Sequence, residues 1–295
     1  MQIGLAGVGR MGAAIAARLM EVGHSLTIWN RSPEKTKALE QSGAAVAQSP
    51  AELAAKVETI ITILTDAAAI AAVYETDSGL FSAKLNGKLV IDMSTVRPET
   101  EIDLAGKVRA KGAGFVECPV GGTVGPARQG KLIGLAAGEE QDFARAKPIL
   151  EQLCRRLEYV GAVGNGALMK LAINLPLLVS WQALGEALAL ARNIGVEPVR
   201  LMDLFADTSG GTNALKMRGP AIATMLEGGD PGPPGFPVDG GLKDLRTMLA
   251  EGKARGLELP LVERALQCFE RASRDSWGQR DAASLPVYWS QRASY

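Results

Sequence analysis

The first dozen residues constrain this chain more than any others. Ile3–Ala6 is a short apolar run of strand type that passes directly into Gly7-Val8-Gly9-Arg10-Met11-Gly12. An Ala-rich helical pattern follows at Ala13–Val22, and a second strand-like run at Ser25–Trp29. A G-x-G-x-x-G alone says little. Set between a strand and a helix, with another strand beyond, it has the context of a dinucleotide-binding turn. Gly7 then permits the tight turn, Gly9 the approach of backbone to a pyrophosphate, and Gly12 the close packing of helix on strand. The helix start turns its N–H groups toward the anion. The competing reading is a glycine-rich structural turn.

The alternation continues through the first half. Pro33–Ser42 reads as a helix with proline in its first turn, Thr59–Leu64 and Lys88–Asp92 as buried strands, and Glu99–Lys111 as a helix. Phe115–Cys118 and Lys131–Ala137 read as strands and Glu140–Leu153 as an amphipathic helix. Such alternation predicts a parallel sheet with helices on both faces. After Gly161 the strand pattern stops. Ala167–Asn193 is a long apolar helix, and helical patterns follow at Pro198–Asp207, Asn213–Met225, Asp239–Arg255 and Leu261–Arg274, with a Gly/Pro loop at Gly228–Pro237. The expected architecture is an α/β Rossmann-type N-terminal domain over residues 1–163 and an all-α C-terminal domain over residues 164–295, joined by a long interdomain helix.

Composition removes several function classes. Lys+Arg and Asp+Glu are 32 each, so no charge excess steers the chain toward nucleic acid or an anionic membrane, and neither partner is expected. Cys118, Cys154 and Cys268 are too few and too scattered for a disulfide framework or a zinc site, and no metal is expected. The opening residues lack a secretory h-region. The most apolar run, Leu171–Ala191, is broken by Asn174, Pro176, Gln182 and Glu186, and reads as a buried helix rather than a membrane span. A soluble cytoplasmic protein is expected. The apolar long helix also predicts self-association, as a homodimer or homotetramer.

An NAD site usually ends its second strand with Asp or Glu for the ribose 2′-hydroxyl. Here the residues are Asn30-Arg31-Ser32. No carboxylate stands there to repel a 2′-phosphate, while Arg31 offers a guanidinium and Ser32 a hydroxyl and a backbone N–H. Each charge-assisted hydrogen bond is worth ~1.5–3 kcal/mol, so NADP (NADPH) is expected, with NAD bound more weakly. A solvated Arg31 and a Ser32 that caps the Pro33 helix are compatible with that reading. Arg10 and Met11 in the loop, and Leu64 at the end of its strand, are further expected cofactor contacts on this half.

Hydride transfer to a carbonyl needs an acid at the oxygen. The single histidine, His24, begins the second strand within the cofactor half, a poor position for that task. None of Tyr74, Tyr159, Tyr288 and Tyr295 is followed by lysine four residues later, and zinc ligands are lacking. Lysine remains. Lys170 and Asn174 share one face of the long apolar helix. Burial there disfavours a charged ammonium, which suits a lysine that hands its proton to a carbonyl oxygen. Asn174 would hold that oxygen or another substrate group. Periodicity alone fits equally well a lysine snorkelling to the surface with Asn174 capping a nearby loop.

Four separated segments carry a resemblance that spans nearly the whole chain. They are the Gly7–Gly12 loop with Met11, Glu117-Cys118-Pro119-Val120-Gly121-Gly122-Thr123, the Gly164–Asn174 run, and Phe236 through Lys243-Asp244-Leu245. In that order they resemble the β-hydroxyacid dehydrogenases, the group of 3-hydroxyisobutyrate dehydrogenase, tartronate semialdehyde reductase and the succinic semialdehyde/glyoxylate reductases, with 6-phosphogluconate dehydrogenase more distant. The resemblance implies that Lys170 is the general acid protonating the carbonyl oxygen during reduction and that Asn174 binds substrate. It implies that Lys243 reaches the cofactor and active-site cleft from the helical domain, that Phe236 lines that cleft, and that Thr95 stands beside the nicotinamide ribose. Backbone amides of the Pro119–Thr123 loop, at Gly121, Gly122 and Thr123, would hold the substrate carboxylate.

The loop itself departs from the pattern where it matters for the substrate. The family reads Asp-Ala-Pro-Val-Ser-Gly-Gly, whereas this chain has Gly121 in place of the serine and Thr123, two positions later, in place of a glycine. The implied activity is NADPH-dependent reduction of a small carboxylate-bearing aldehyde, of semialdehyde or glyoxylate type, to the hydroxyacid, and the reverse. The alternatives are an NADPH-dependent imine reductase, a group that shares the architecture and usually lacks the lysine, and a non-catalytic NADP-binding protein on the same fold.

Overall fold

In the computed structural model residues 1–291 are described; Tyr295 lies outside them. Ile3, Gly4, Leu5 and Ala6 are all buried, which is what a central strand covered on both faces requires. They belong to β1 (Gln2–Ala6), followed by α1 (Arg10–Glu21), β2 (Ser25–Trp29), α2 (Lys37–Gln41), β3 (Ala45–Val46) and α3 (Pro50–Ala55). Next come β4 (Thr59–Thr62), α4 (Ala67–Tyr74), β5 (Leu89–Asp92), α5 (Pro98–Ala110) and β6 (Gly114–Glu117). The sheet closes with β7 (Val120–Gly121), α6 (Val124–Arg128), β8 (Leu132–Gly138), α7 (Glu140–Leu153) and β9 (Cys154–Tyr159).

The strand order is β3-β2-β1-β4-β5-β6-β8-β7, with β9 paired to β8. Successive strand residues face opposite helical layers. Ile61, Leu89 and Ile91 join Ile15 and Leu19 of α1 and Ile149 and Leu150 of α7 in one core. Ile60, Val90 and Phe115 join Leu53 of α3, Val73 of α4 and Leu104 and Val108 of α5 in the other.

Neighbouring strands from β3 through β6 run parallel, as the alternation predicts. The far end departs from that expectation: β8 runs antiparallel to both β6 and β7. A parallel return needs a crossover helix. The chain between β6 and β8 is spent on two-residue β7 and five-residue α6, so it comes back antiparallel. β9 went unnoticed because Cys154-Arg155-Arg156-Leu157-Glu158-Tyr159 has no continuous apolar run. The helix expected at Pro33–Ser42 is split into a 3-10 turn at Pro33–Lys35 and α2, with the Thr36 hydroxyl bonded to the Pro33 carbonyl at the break.

The chain divides into two compact units, one spanning Met1–Leu171 and the other starting at Ala172. The division falls inside α8 (Asn165–Leu190), a 26-residue helix long and apolar enough by itself to cross a membrane. Its buried positions, among them Ala167, Lys170, Leu171, Asn174, Leu178 and Trp181, recur every three or four residues, the spacing of a core-facing stripe. Beyond it lie α9 (Pro198–Ala206), α10 (Asn213–Leu226), α11 (Val238–Ala254), α12 (Pro260–Ala272) and α13 (Leu285–Gln291). Leu245 and Met248 of α11 and Val262 and Phe269 of α12 are buried in this second unit. α13 follows a widened turn at Ser273–Trp277 that the sequence periodicity did not register.

Candidate functional site

β1 and β4 are neighbours at the point where strand order reverses, the place where a doubly wound sheet leaves a crevice at the strand ends. Gly7 turns the chain there with φ 107°, and any Cβ on it would meet the Ile63 carbonyl oxygen at 2.3 Å. A Cβ on Gly12 would overlap the Gly7 carbonyl oxygen at 1.9 Å. Strand, loop and helix are therefore nested too closely for side chains. Gly9 differs, because a Cβ there would meet nothing within 4 Å. Its glycine keeps the outer side open.

α1 begins at Arg10, inside the loop and three residues earlier than the periodicity suggested. Its first in-helix bond runs from the Ala13 N–H to the Gly9 carbonyl at 2.8 Å. The N–H groups of Gly9, Arg10, Met11 and Gly12 precede that bond, and no side chain among the described residues caps the helix. The first turn carries no acidic residue, so the positive end of the helix dipole is uncompensated. Open backbone, free donors and positive field fit the diphosphate of a dinucleotide.

Asn30 builds this loop. Its Oδ1 accepts the Val8 N–H at 2.9 Å, and its Nδ2 donates to the Ser32 carbonyl at 3.0 Å. Both ends of an amide placed by sequence among the cofactor contacts are thus committed to backbone. Arg31 is exposed beside it, and the Ser32 hydroxyl makes no cap bond to the Pro33 turn. At the adjoining strand ends the Leu64 N–H donates to Ser94 Oγ at 2.9 Å, and half-buried Thr95 follows Ser94.

Beneath these strand ends lies a set of buried acids that sequence reasoning missed. Asp92 closes β5, accepting the Thr62 hydroxyl at 2.5 Å and the Ser94 N–H at 2.8 Å. Burial pushes its carboxyl up despite those bonds. Burial, with Asp92 and Glu117 nearby, drives Glu101 of α5 well above the usual carboxylate range. Glu117 closes β6 fully buried, and burial pushes it up to about 7 against the opposing pull of three backbone N–H bonds. Its Oε1 accepts from Gly164 at 2.6 Å and Gly166 at 2.9 Å, and its Oε2 from Ala167 at 3.3 Å. The available signal was an acid terminating each of two otherwise apolar strands.

The Pro119–Thr123 loop follows directly. Val120 and Gly121 pair with Gly134 and Ile133 of β8. Gly122, with φ 125°, is exposed, and a Cβ on it would meet Leu132 at 2.8 Å. A Cβ on Gly121 would meet Ile133 at an ordinary 3.6 Å, so the backbone does not demand glycine there. Thr123 starts α6, and its hydroxyl makes no cap bond. Burial holds the Cys118 thiol well above its usual range, which suits an inert packing residue. All three cysteines are free and buried.

Lys170 is only 8% exposed. It stands on α8, three residues beyond Ala167, with Asn174 buried on the same helix face one turn on. In the second unit the Asn174 Nδ2 donates to Asp244 Oδ2 at 2.9 Å, and Lys243 Nζ pairs with Asp244 Oδ1 at 2.7 Å. Asp244, present in the quoted motif but given no role, is the buried hub of that group. The Phe236 N–H donates to Asp281 at 3.3 Å, and its ring lies over Gly240 of α11, where a Cβ would meet it at 2.8 Å. His24 Nε2 lies 2.5 Å from Gln152 Oε1, a packing role away from the strand ends. Among the described residues no group of three or more His, Cys, Asp or Glu could hold a metal ion.

Residues 2–161 match the family model described as the NAD binding domain of 6-phosphogluconate dehydrogenase. Residues 164–288 match the one described as NAD-binding of NADP-dependent 3-hydroxyisobutyrate dehydrogenase. The chain is 35% identical to glyoxylate/succinic semialdehyde reductase 1 of Arabidopsis thaliana, over 97% of each chain. It is 33% identical to 3-hydroxyisobutyrate dehydrogenase of Pseudomonas aeruginosa, over 90% of each. The crystal structure of 3-hydroxyisobutyrate dehydrogenase from Salmonella typhimurium superposes with a TM-score of 0.85 at 26% identity, covering 98% of this chain and 99% of that one. With both halves matched by family models and the identity sustained from end to end, the chain belongs to the β-hydroxyacid dehydrogenase family and is an NAD(P)-dependent oxidoreductase.

Proposed function

We propose that this enzyme uses NADPH to reduce a small aldehyde bearing a carboxylate, of semialdehyde or glyoxylate type, to the hydroxyacid, and catalyses the reverse. The observation that carries the reading is Lys170, a lysine almost removed from solvent on a helix of this family's second half. The preference for NADPH is supported by the absence of a carboxylate in Asn30-Arg31-Ser32, by the exposed Arg31, and by a family model named for an NADP-dependent enzyme. The substrate class is supported by relatives named for glyoxylate, succinic semialdehyde and 3-hydroxyisobutyrate, all short acids with a carbonyl or hydroxyl group.

When bound, the reduced nicotinamide supplies a hydride to the carbonyl carbon. Lys170 gives a proton to the carbonyl oxygen as it becomes a hydroxyl, and takes it back in the oxidative direction. The backbone N–H groups of Gly121, Gly122 and Thr123 hold the carboxylate. Asn174, itself held by Asp244, orients the substrate. The proposed setting is the cytoplasm, and the proposed assembly a homodimer or homotetramer, the assembly supported by the exposed apolar side chains Leu190, Ile194, Val199 and Leu204 around α8 and α9.

The test is NADPH oxidation, with NADH in parallel, against glyoxylate, succinic semialdehyde, tartronate semialdehyde, methylmalonate semialdehyde and one cyclic imine. Turnover of an acid aldehyde is expected, with Lys170→Ala slower by about 10²–10⁴-fold and NADPH affinity almost unchanged. Turnover of the imine alone, or a Lys170→Ala variant with normal turnover, overturns the reading.

A further inference from the structure

Every donor at the start of α8 has an acceptor, and one side chain supplies most of them. The Asn165 N–H goes to the Ala162 carbonyl at 3.1 Å, and the helical ladder opens with Leu168 N–H to the Gly164 carbonyl at 3.0 Å. The other three donors, on Gly164, Gly166 and Ala167, all go to the carboxylate of Glu117, 47 or more residues away in sequence. A local Ser, Asn or Asp would cap a helix at less cost than a buried carboxylate. Here the cap comes from the middle of the sheet.

Glu117 is rigidly held. Its backbone pairs with Asp92 of β5 on one side and Ala137 of β8 on the other, and the Cys118 N–H is fixed to the Asp92 carbonyl at 2.6 Å. The helix in turn comes down close on the sheet at Gly166, where a Cβ would lie 2.6 Å from the Leu135 carbonyl oxygen and 3.1 Å from Glu117 Oε1. Lys170 lies four residues beyond Gly166 and three beyond Ala167, on the same side of the helix one turn on. A rotation or lift of the first turn therefore moves the lysine. Two residues after Glu117 begins the Pro119–Thr123 loop. One strand end thus holds the loop through the chain and the lysine's helix through three hydrogen bonds.

We propose that Glu117 is a positioning residue for the proton-donating Lys170, its carboxylate setting the height and rotation of the first turn of α8 relative to the Pro119–Thr123 loop. The proposal rests on the reading of Lys170 as general acid. Glu117 itself touches no reacting atom. Burial and the nearby Asp92 carboxylate push its carboxyl up to about 7 against the pull of the three N–H bonds, and Glu117 in turn helps to raise Glu101.

The test compares Glu117→Met, Glu117→Gln and Glu117→Asp for kcat, KM, NADPH affinity and melting temperature, in wild-type and Lys170→Ala backgrounds. A misplacement near 1 Å costs about 100-fold in turnover, so Glu117→Met is expected to lower kcat by about 10- to 100-fold with NADPH affinity within about threefold. Glu117→Gln keeps an oxygen that can accept from both Gly164 and Gly166, and recovers most of kcat. In the Lys170→Ala background Glu117→Met gives no further loss, because there is no proton donor left to misplace. If Glu117→Met fails to fold, Glu117→Asp, with the charge but a shorter reach, gives the same loss of kcat with NADPH binding intact. Wild-type kcat in the variants that fold, or the same fractional loss in both backgrounds, overturns the proposal. A slow Lys170→Ala beside an unimpaired Glu117→Met removes the positioning role alone. A fully active Lys170→Ala removes the general acid and the positioning role with it.

Discussion

Two helices of the first unit start on the same short string, Gly-x-Gly, and put it to opposite uses. Gly7-Val8-Gly9 leads into α1, and Gly164-Asn165-Gly166 into α8. At α1 the first-turn N–H groups lie beside a glycine with open space where a Cβ would be, no side chain caps them among the described residues, and the first turn holds no acidic residue. At α8 the same set of donors is closed off by Glu117 and the Ala162 carbonyl. A helix start attracts negative charge in either case. The difference is whether the protein supplies that charge or leaves it to a ligand. The open start can bind, and the closed one can only hold its helix still.

The largest effect that would sharpen this contrast is Gly12→Val. Its Cβ already overlaps the Gly7 carbonyl, so melting should drop by about 10 °C or more and NADPH binding should vanish in a titration. A stable Gly12→Val that binds NADPH would break the account of the loop. Gly9→Ala should do the reverse, folding with wild-type stability while NADPH affinity falls by about tenfold or more. A lowered melting point with unchanged affinity would make Gly9 a structural glycine like its neighbours and erase the difference between the two helix starts.

Arg31→Ala is expected to weaken NADPH by about 10- to 100-fold, the worth of one charge-assisted bond, while leaving NADH nearly alone. Equal losses for both cofactors would remove the 2′-phosphate reading. The smallest effect concerns stability. Glu117 is raised from 4.5 to about 7, so the folded state binds its proton more tightly than the unfolded one. Its contribution is present below pH 4.5 and is lost as pH climbs through 7. Asp92 and Glu101 are raised in the same sense. Glu101→Gln should raise the melting temperature at pH 8 by about 2–4 °C and change it little at pH 5. A uniform shift across pH would mean that Glu101 carries no charge penalty in the fold.

The open helix start was legible because everything that defines it is local. The glycines, the strand before them and the helix after them lie within a dozen residues, and the Asn30-Arg31-Ser32 end follows at a fixed distance. Lys170 was legible as a charge in an apolar helix, although its periodicity left a snorkelling lysine open. The closed start was not legible. Nothing near Gly164 indicates that its acceptor lies on β6, and Glu117 looks like any acid at a strand end until the sheet brings the segments together. Asp244 escaped for the same reason, since its partner Asn174 is distant in sequence. The antiparallel turn at β8 was hidden because apolar runs specify strands but not their direction.

Gly121 and Gly122 are adjacent in the Pro119–Thr123 loop, yet they differ in how freely they can change. Gly122 is fixed by its left-handed backbone and by Leu132, so replacing it would cost the fold. Gly121 has ordinary backbone and ordinary clearance, so a side chain can appear there with the rest of the loop undisturbed. If the loop holds the substrate as proposed, a single mutation at that codon redraws the outline of the acid that fits without first requiring a compensating change elsewhere. The loop thus pairs a frozen position with an evolvable one, and divergence in substrate among copies of this gene would be expected to begin at the second.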